Sequence, residues 1–212
     1  MSISITRAVL PSKHRPQKPE DFCGTPARRA AEVITRHVSA VLPTGESLCY
    51  MANGKPGLGK SSLSNFFVNA LGASKWSVQT YNGAQFGIDK VTEIEQFLRL
   101  RDMFGNYRVV RLEEVDKCSQ AAQVALLTLL DELPKNAAVF ATSNKSIEDF
   151  EERFQRRFHV LELKTPNGGE IAAFLEQRFG IPKSVAATLE LQSGGNVDIA
   201  FKSAEMFLLR QP

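Results

Sequence analysis

Cysteine is scarce in this chain. Cys23, Cys49 and Cys118 are its only three in 212 residues, and no C-x-x-C pair joins them. An odd, scattered set excludes a disulfide framework and a cysteine-built zinc site. Charge of one sign is also lacking. The formal net charge is only +3, too small to announce a nucleic-acid partner by itself. No apolar run approaches the roughly 20 residues of a membrane-spanning helix. The opening MSISITRAVLPSKHRP lacks the apolar stretch of a secretion signal. Internal repeats and low-complexity tracts are missing too. The expectation is a soluble protein of a reducing compartment with no membrane partner, most simply cytoplasmic, or in the host-cell cytoplasm if the chain is viral.

What is present suits a folded domain. With 43% apolar and 23% charged residues, the chain can bury a core as one domain, or one domain with a small appendage. Residues 1–24 are rich in proline and lysine and read as an extended arm. Five basic residues, counting His14, fall between Arg7 and Lys18 before the first acid at Glu20. Such an arm either meets phosphate or is a solvated start.

From residue 25 the pattern alternates. Thr25 as N-cap and Pro26 at the first helical position open a helix to about Val41. SLCYMAN (Ser47 to Asn53) is a short apolar strand, and a helix follows the Gly-rich segment through Leu71. WSVQTYN (Trp76 to Asn82) reads as a second strand, and Ile88 to Arg101 has helical spacing of apolar residues. Tyr107 to Leu112 is a third strand, after which Ser119 caps a helix to Leu133. Ala137 to Asn144 and Phe158 to Leu163 complete five. Strands alternating with helices predict an α/β fold, a parallel five-stranded sheet sandwiched by helices. Beyond Thr165-Pro-Asn-Gly-Gly169 only helical stretches remain: Glu170–Phe179, Pro182–Leu191 and Asn196–Arg210. The expected organisation is an arm over 1–24, an αβα core over 25–164 and a three-helix lid over 165–212.

Gly54-Lys55-Pro56-Gly57-Leu58-Gly59-Lys60-Ser61 matches G-x-x-x-x-G-K-[ST]. It follows a strand and opens a helix, the context this phosphate-binding loop requires. Its glycines let backbone amides converge on phosphate oxygens, and the helix N-terminus adds a favourable dipole. Lys60 would reach the β- and γ-phosphates, Ser61 would ligand Mg2+, and Ser62 follows in the first helical turn. The strand Val109-Val110-Arg111-Leu112 then ends in Glu113 and Glu114. In such a site the first acid holds the metal's water shell and the second polarises the attacking water. Glu113 is one methylene longer than the usual aspartate. Asn144 closes the next strand, where a polar side chain could orient water. Arg153, Arg156 and Arg157 precede the last strand as either a solvated face or a finger reaching a neighbouring subunit's phosphate.

The order of these features resembles the AAA+ ATPases, and within them the clamp loaders: replication factor C small subunits and their bacterial and phage relatives. Four stretches carry the resemblance over nearly the whole chain: KHRPQKPEDFCG (Lys13 to Gly24), YNGAQFGID (Tyr81 to Asp89), EEVDKCSQAAQVAL (Glu113 to Leu126) and SGGNVDIAF (Ser193 to Phe201). The resemblance implies ATP and Mg2+ as cofactors, with Glu114 as catalytic base and Asn144 as first sensor. It makes Arg157 the trans-acting finger and Asn82 the residue that holds Glu114 inactive until DNA or a partner binds. It also places Lys13, His14, Arg15 and Pro16 near the base. A clamp-loader-like ATPase acting in DNA replication would have an oligomer of AAA+ subunits, DNA and a clamp-type protein as partners.

The chain also departs from that pattern. Arg156-Arg157-Phe158 replaces the Ser-Arg-Cys common at the clamp-loader finger, and Gln85-Phe86-Gly87 lacks the arginine expected to touch DNA. Asp198 stands where the lid's sensor arginine falls, with Lys202 four residues on as a substitute. The zinc-binding cysteines of bacterial subunits are not present, and nothing between the lid and Pro212 matches the helical collar of clamp-loader pentamers. Two other readings therefore stay open. One is a nucleotide-binding structural subunit with weak hydrolysis, motivated by Glu113 and Asp198. The other is a DNA-remodelling AAA+ helper, motivated by the missing collar match and the Arg-Arg-Phe finger.

Overall fold

The computed structural model describes residues 11–100 and 107–210. Arg7 in the arm and Arg101 at the end of the expected third helix lie outside the described residues. Among those described, the elements run α1 (Thr25–Val41), β1 (Leu48–Asn53), α2 (Lys60–Ala70), β2 (Val78–Asn82), α3 (Ile88–Arg99), β3 (Arg108–Glu113), α4 (Gln120–Asp131), β4 (Ala137–Ser143), α5 (Glu152–Gln155), β5 (His159–Glu162), α6 (Glu170–Phe179), α7 (Lys183–Ser193) and α8 (Val197–Leu209).

The strands form one parallel sheet in the order β2-β3-β4-β1-β5. β1 and β4 lie inside it and are buried at every residue, as strands covered on both faces must be. That is why LCYMA (48–52) and AAVFA (137–141) are continuous apolar runs, with polar residues only at the C-terminal ends of the strands. The edge strands β2 and β5 are partly exposed, and their sequence signal is correspondingly blurred. Trp76, expected in β2, stands instead in a 3-10 turn over Lys75–Ser77 and is 75% exposed.

One face of the sheet packs on α1 and α2 around Tyr50, Phe67 and Phe140. In α1 the buried positions are Ala27, Ala30, Ala31, Ile34, Val38 and Val41, the stripe of an amphipathic helix. The other face packs on α3, α4 and α5 around Met51, Ile94 and Leu126. Helices α6, α7 and α8 enclose a third core, to which Cys23 contributes from the other end of the chain.

Two local expectations are corrected. Thr25 is not the N-cap of α1. The cap is Gly24, with φ 87° and no side-chain capping bond. The Thr25 amide and hydroxyl both donate to Glu170 at the start of α6 instead, so a distant carboxylate does the capping. The described part of the arm is not a free extended segment either. Pro11–Lys13 and Pro19–Asp21 are 3-10 turns, and His14, Asp21, Phe22 and Cys23 are buried. The His14 ring sits edge-on to Phe174, Phe179 and Phe201, while Asp21 pairs with Arg178 of α6 at 3.0 Å. Burial of Phe22 and Cys23 draws this segment inward, because leaving them in water would cost roughly 25 cal/mol per Å2 of apolar surface.

Candidate functional site

All five strands point their C-terminal ends to one side, and β1 stands between β4 and β5 there. Ligands of open α/β sheets bind outside that edge. The loop leaving β1 turns through Gly54, Gly57 and Gly59, all at positive φ, into the N-terminus of α2. The first turn of a helix leaves its amides without intrahelical partners, so they face outward as anion donors. A cavity of about 560 Å3 opens there, lined by Lys60, Ser61, Glu113, Glu114 and Asn144. Pro56, Gly57, Leu58, Gly59 and Ser62 also line it, whereas Gly54 and Lys55 line an adjacent pocket.

Lys60 Nζ donates to the carbonyl oxygens of Gly54 (2.6 Å) and Lys55 (3.0 Å). Burial lowers its pKa, against the opposing charges of Asp116 and Glu114. A cation held this way, on neutral carbonyls, would gain by exchanging them for phosphate oxygens.

Glu113 and Glu114 occupy different surroundings. Glu113 ends β3 and accepts a bond from Arg111 Nη2 at 3.1 Å. Glu114 lies just past the strand at φ 53°, a left-handed conformation uncommon outside glycine. Its amide donates to Thr142 Oγ1 at 3.1 Å. Its carboxylate accepts from Lys117 Nζ at 2.7 Å and from Asn144 Nδ2 at 3.3 Å. The Lys117 bond is the main reason its pKa is lowered. Burial opposes that shift, while Asn144 and the Lys60 charge reinforce it. The Asn144 amide in turn donates to Asp116 Oδ1 at 3.1 Å, which ties the end of β4 to the turn after β3.

Asn82 lines the same cavity, but its side chain accepts from the Ala84 amide at 2.9 Å. In this structure the hydrogen bonds to the Glu114 carboxylate come from Lys117 and Asn144. Gly83 approaches so closely that a Cβ there would meet the Glu114 carbonyl oxygen at 2.0 Å.

From the opposite side, α8 closes on the loop. Asn196 Nδ2 donates to the Pro56 carbonyl at 3.2 Å, and the Asp198 amide donates to the Gly57 carbonyl at 3.2 Å. A Cβ on Gly57 would meet Asn196 Oδ1 at 2.1 Å, so glycine is required for this contact as well as for the turn. Asp198 lines the cavity, and Lys202 pairs with it at 2.7 Å. His14, Arg15 and Pro16 line the far end, while Lys13 is exposed.

Arg157 lies outside this cavity and pairs with Asp131 at the end of α4, with Nη2 donating at 3.0 Å. Arg156 pairs with Glu152, and Arg153 is exposed. Among the described residues, no cluster of three or more His, Cys, Asp or Glu side chains could cage a metal by itself. The donors present, the Ser61 hydroxyl and the Glu113 carboxylate, fit Mg2+, which takes one or two protein oxygens and completes its shell from phosphates and water.

Sequence reasoning passed over Arg111, Asp116, Lys117 and Thr142. Only Arg111 left a visible signal, as a charge interrupting an apolar strand two residues before Glu113.

The model of the AAA family, ATPases associated with various cellular activities, matches residues 50–165. No curated protein sequence matches the chain. Among solved structures, a single-substitution variant of RuvB from Thermotoga maritima superposes with TM-score 0.74 at 17% identity, over 90% of this chain and 64% of that one. The RuvB Holliday junction branch migration motor of the same organism gives 0.71 at 18%, over 90% and 64%. A DNA polymerase III gamma subunit-related protein from Thermotoga maritima gives 0.54 at 19%, over 76% and 60%. The chain thus spans 64% of the length of the RuvB chains it resembles.

Proposed function

Because the chain belongs to the AAA family of ATPases, we propose that it binds ATP with Mg2+ in the cavity between the phosphate loop and α8, and hydrolyses it at a subunit interface. The observation that carries this reading is the convergence of Lys60, Ser61, Glu114 and Asn144 on one cavity. Lys60 would hold the β- and γ-phosphate oxygens. Glu114, ionised and hydrogen-bonded to Asn144, would take the proton of the attacking water as the oxygen bonds to the γ-phosphorus and ADP leaves. Bound Mg2+, held by Ser61 and Glu113, would supply charge neutralisation to the phosphates. Arg157 would serve a neighbour's site after leaving Asp131. His14, Arg15 and Pro16 would face the base, and residues 165–212 would act as the lid.

The finer role we propose is that of a clamp-loader-like subunit acting on DNA-bound machinery, on the four sequence stretches in family order. The fold likeness to the RuvB branch migration motor favours a second reading, a DNA-remodelling motor. An open pentamer with ATP would support the first and a closed ring the second. The founding test is ATP turnover with and without primed DNA, for wild type, Lys60→Ala, Arg157→Ala and the two variants mixed. Each variant should be inactive alone, and the mixture should regain activity because the Lys60→Ala subunit supplies the finger. Turnover that survives Lys60→Ala rejects the proposal.

A further inference from the structure

Arg111 is out of place by every local rule. It stands within β3 between Val110 and Leu112, both almost fully buried. Alternation along a strand puts Val109, Arg111 and Glu113 on one face, the face that packs on α2. The Arg111 side chain is only 16% exposed. A guanidinium so placed is costly unless it is paired and hydrogen-bonded, and both needs are met. Its Nε donates to Ser64 Oγ of α2 at 2.8 Å, and its Nη2 donates to Glu113 Oε1 at 3.1 Å. Ser64 is itself 1% exposed, so the guanidinium is fixed from the helix side as well.

This geometry links two departures. A carboxylate shorter by one C–C bond, about 1.5 Å, would sit too far back to keep the 3.1 Å contact. Glutamate at 113 is therefore the partner that Arg111 requires. Ser61, the other metal donor, lies one helical turn before Ser64 on α2. Arg111, fixed on Ser64, and a divalent cation held by Ser61 would thus both meet Glu113 on the side facing α2.

Resting on the nucleotide-binding reading above, we propose that Arg111 is a positioning residue that competes with the divalent cation for Glu113, leaving nucleotide uptake only weakly dependent on Mg2+. A fixed positive charge beside the metal's carboxylate occupies one of its oxygens and repels the dication.

The readout is the gain in affinity for a fluorescent ATP analogue when EDTA is replaced by saturating Mg2+, a binding measurement independent of turnover. Arg111→Met should raise that gain roughly tenfold over wild type, the size of one charge-assisted hydrogen bond. Glu113→Asp, which keeps a metal ligand but breaks the pair, should move it the same way. Arg111→Lys should stay within about twofold of wild type, because the charge is retained. Adding Arg111→Met to Glu113→Gln should change nothing further, because the carboxylate the two cations share is gone. A gain unchanged or lowered in both Arg111→Met and Glu113→Asp overturns the inference. If Arg111→Met does not unfold cooperatively, Glu113→Asp decides alone. Wild type that binds no analogue under either condition rejects the nucleotide reading, and the inference falls with it.

Discussion

On the sheet side of the cavity, Thr142 and Ser143 are buried on an interior strand, and the groups beyond them are cross-tied. Glu114 bonds to Thr142, Asn144 and Lys117, and Asn144 bonds to Asp116. On the α8 side, Lys202 and Asp198 have side chains 66% and 55% exposed and pair with each other. Attachment to the loop there runs through Asn196 and one backbone amide. The two sides face one cavity but differ in how far their geometry is over-determined. Reacting groups gain from a rigid setting, because positioning settled in advance costs nothing at the moment of reaction. A helix acting as the proposed lid would gain from few and exposed contacts.

That contrast can be broken or sharpened by substitution. The largest effect is expected on the sheet side. Glu114→Gln should lower ATP turnover by about 10²- to 10³-fold while leaving affinity for the fluorescent analogue within about twofold; equal loss of both would mean that Glu114 holds the nucleotide and has no part in the proton transfer.

Next comes the seam between the two sides. Gly57→Ala combines a φ of 80° with a Cβ placed 2.1 Å from Asn196 Oδ1. It should cost about 1–2 kcal/mol in denaturant unfolding. Asn196→Ala in the same chain should recover only the part due to the clash.

A smaller change concerns pH. The Lys117 hydrogen bond holds Glu114 below its ordinary pKa of 4.5, so the base stays ionised and turnover should be flat on acidification until the pH falls below that value. Lys117→Ala removes the largest lowering cause, and the acid limb of the rate profile should move upward. A limb that stays put would assign the restraint to Asn144.

The smallest effect is expected at Lys202→Ala, which breaks an exposed i,i+4 pair and should change stability by less than about 0.5 kcal/mol. A tenfold drop in nucleotide affinity there would instead make Lys202 a phosphate contact.

Much of the sheet side was legible beforehand. The phosphate loop is a contiguous string whose glycines, lysine and serine each have a local reason to be there. The Ser119 cap was read correctly, its hydroxyl accepting from the Ala122 amide at 3.2 Å. Helix α6 follows the predicted Glu170–Phe179. Strand edges were less legible, because β2 and β5 are half exposed and carry mixed patterns.

What the sequence determined alone is whatever neighbours within one or two turns can enforce: apolar periodicity, caps, the Gly-Lys-Ser loop, and paired acids at a strand end. Those are enough for a parallel α/β core with a phosphate site. Only the tertiary structure decided which distant groups meet. Arg111 finds Ser64 from 47 residues away, Arg157 finds Asp131 across 26, and Thr25 is capped by Glu170 across 145. Backbone period says which face a side chain takes, but not which helix covers that face or how a long side chain bends to reach it. That physical gap is why Glu113 alone looked like an altered metal ligand, and beside Arg111 it becomes half of a pair.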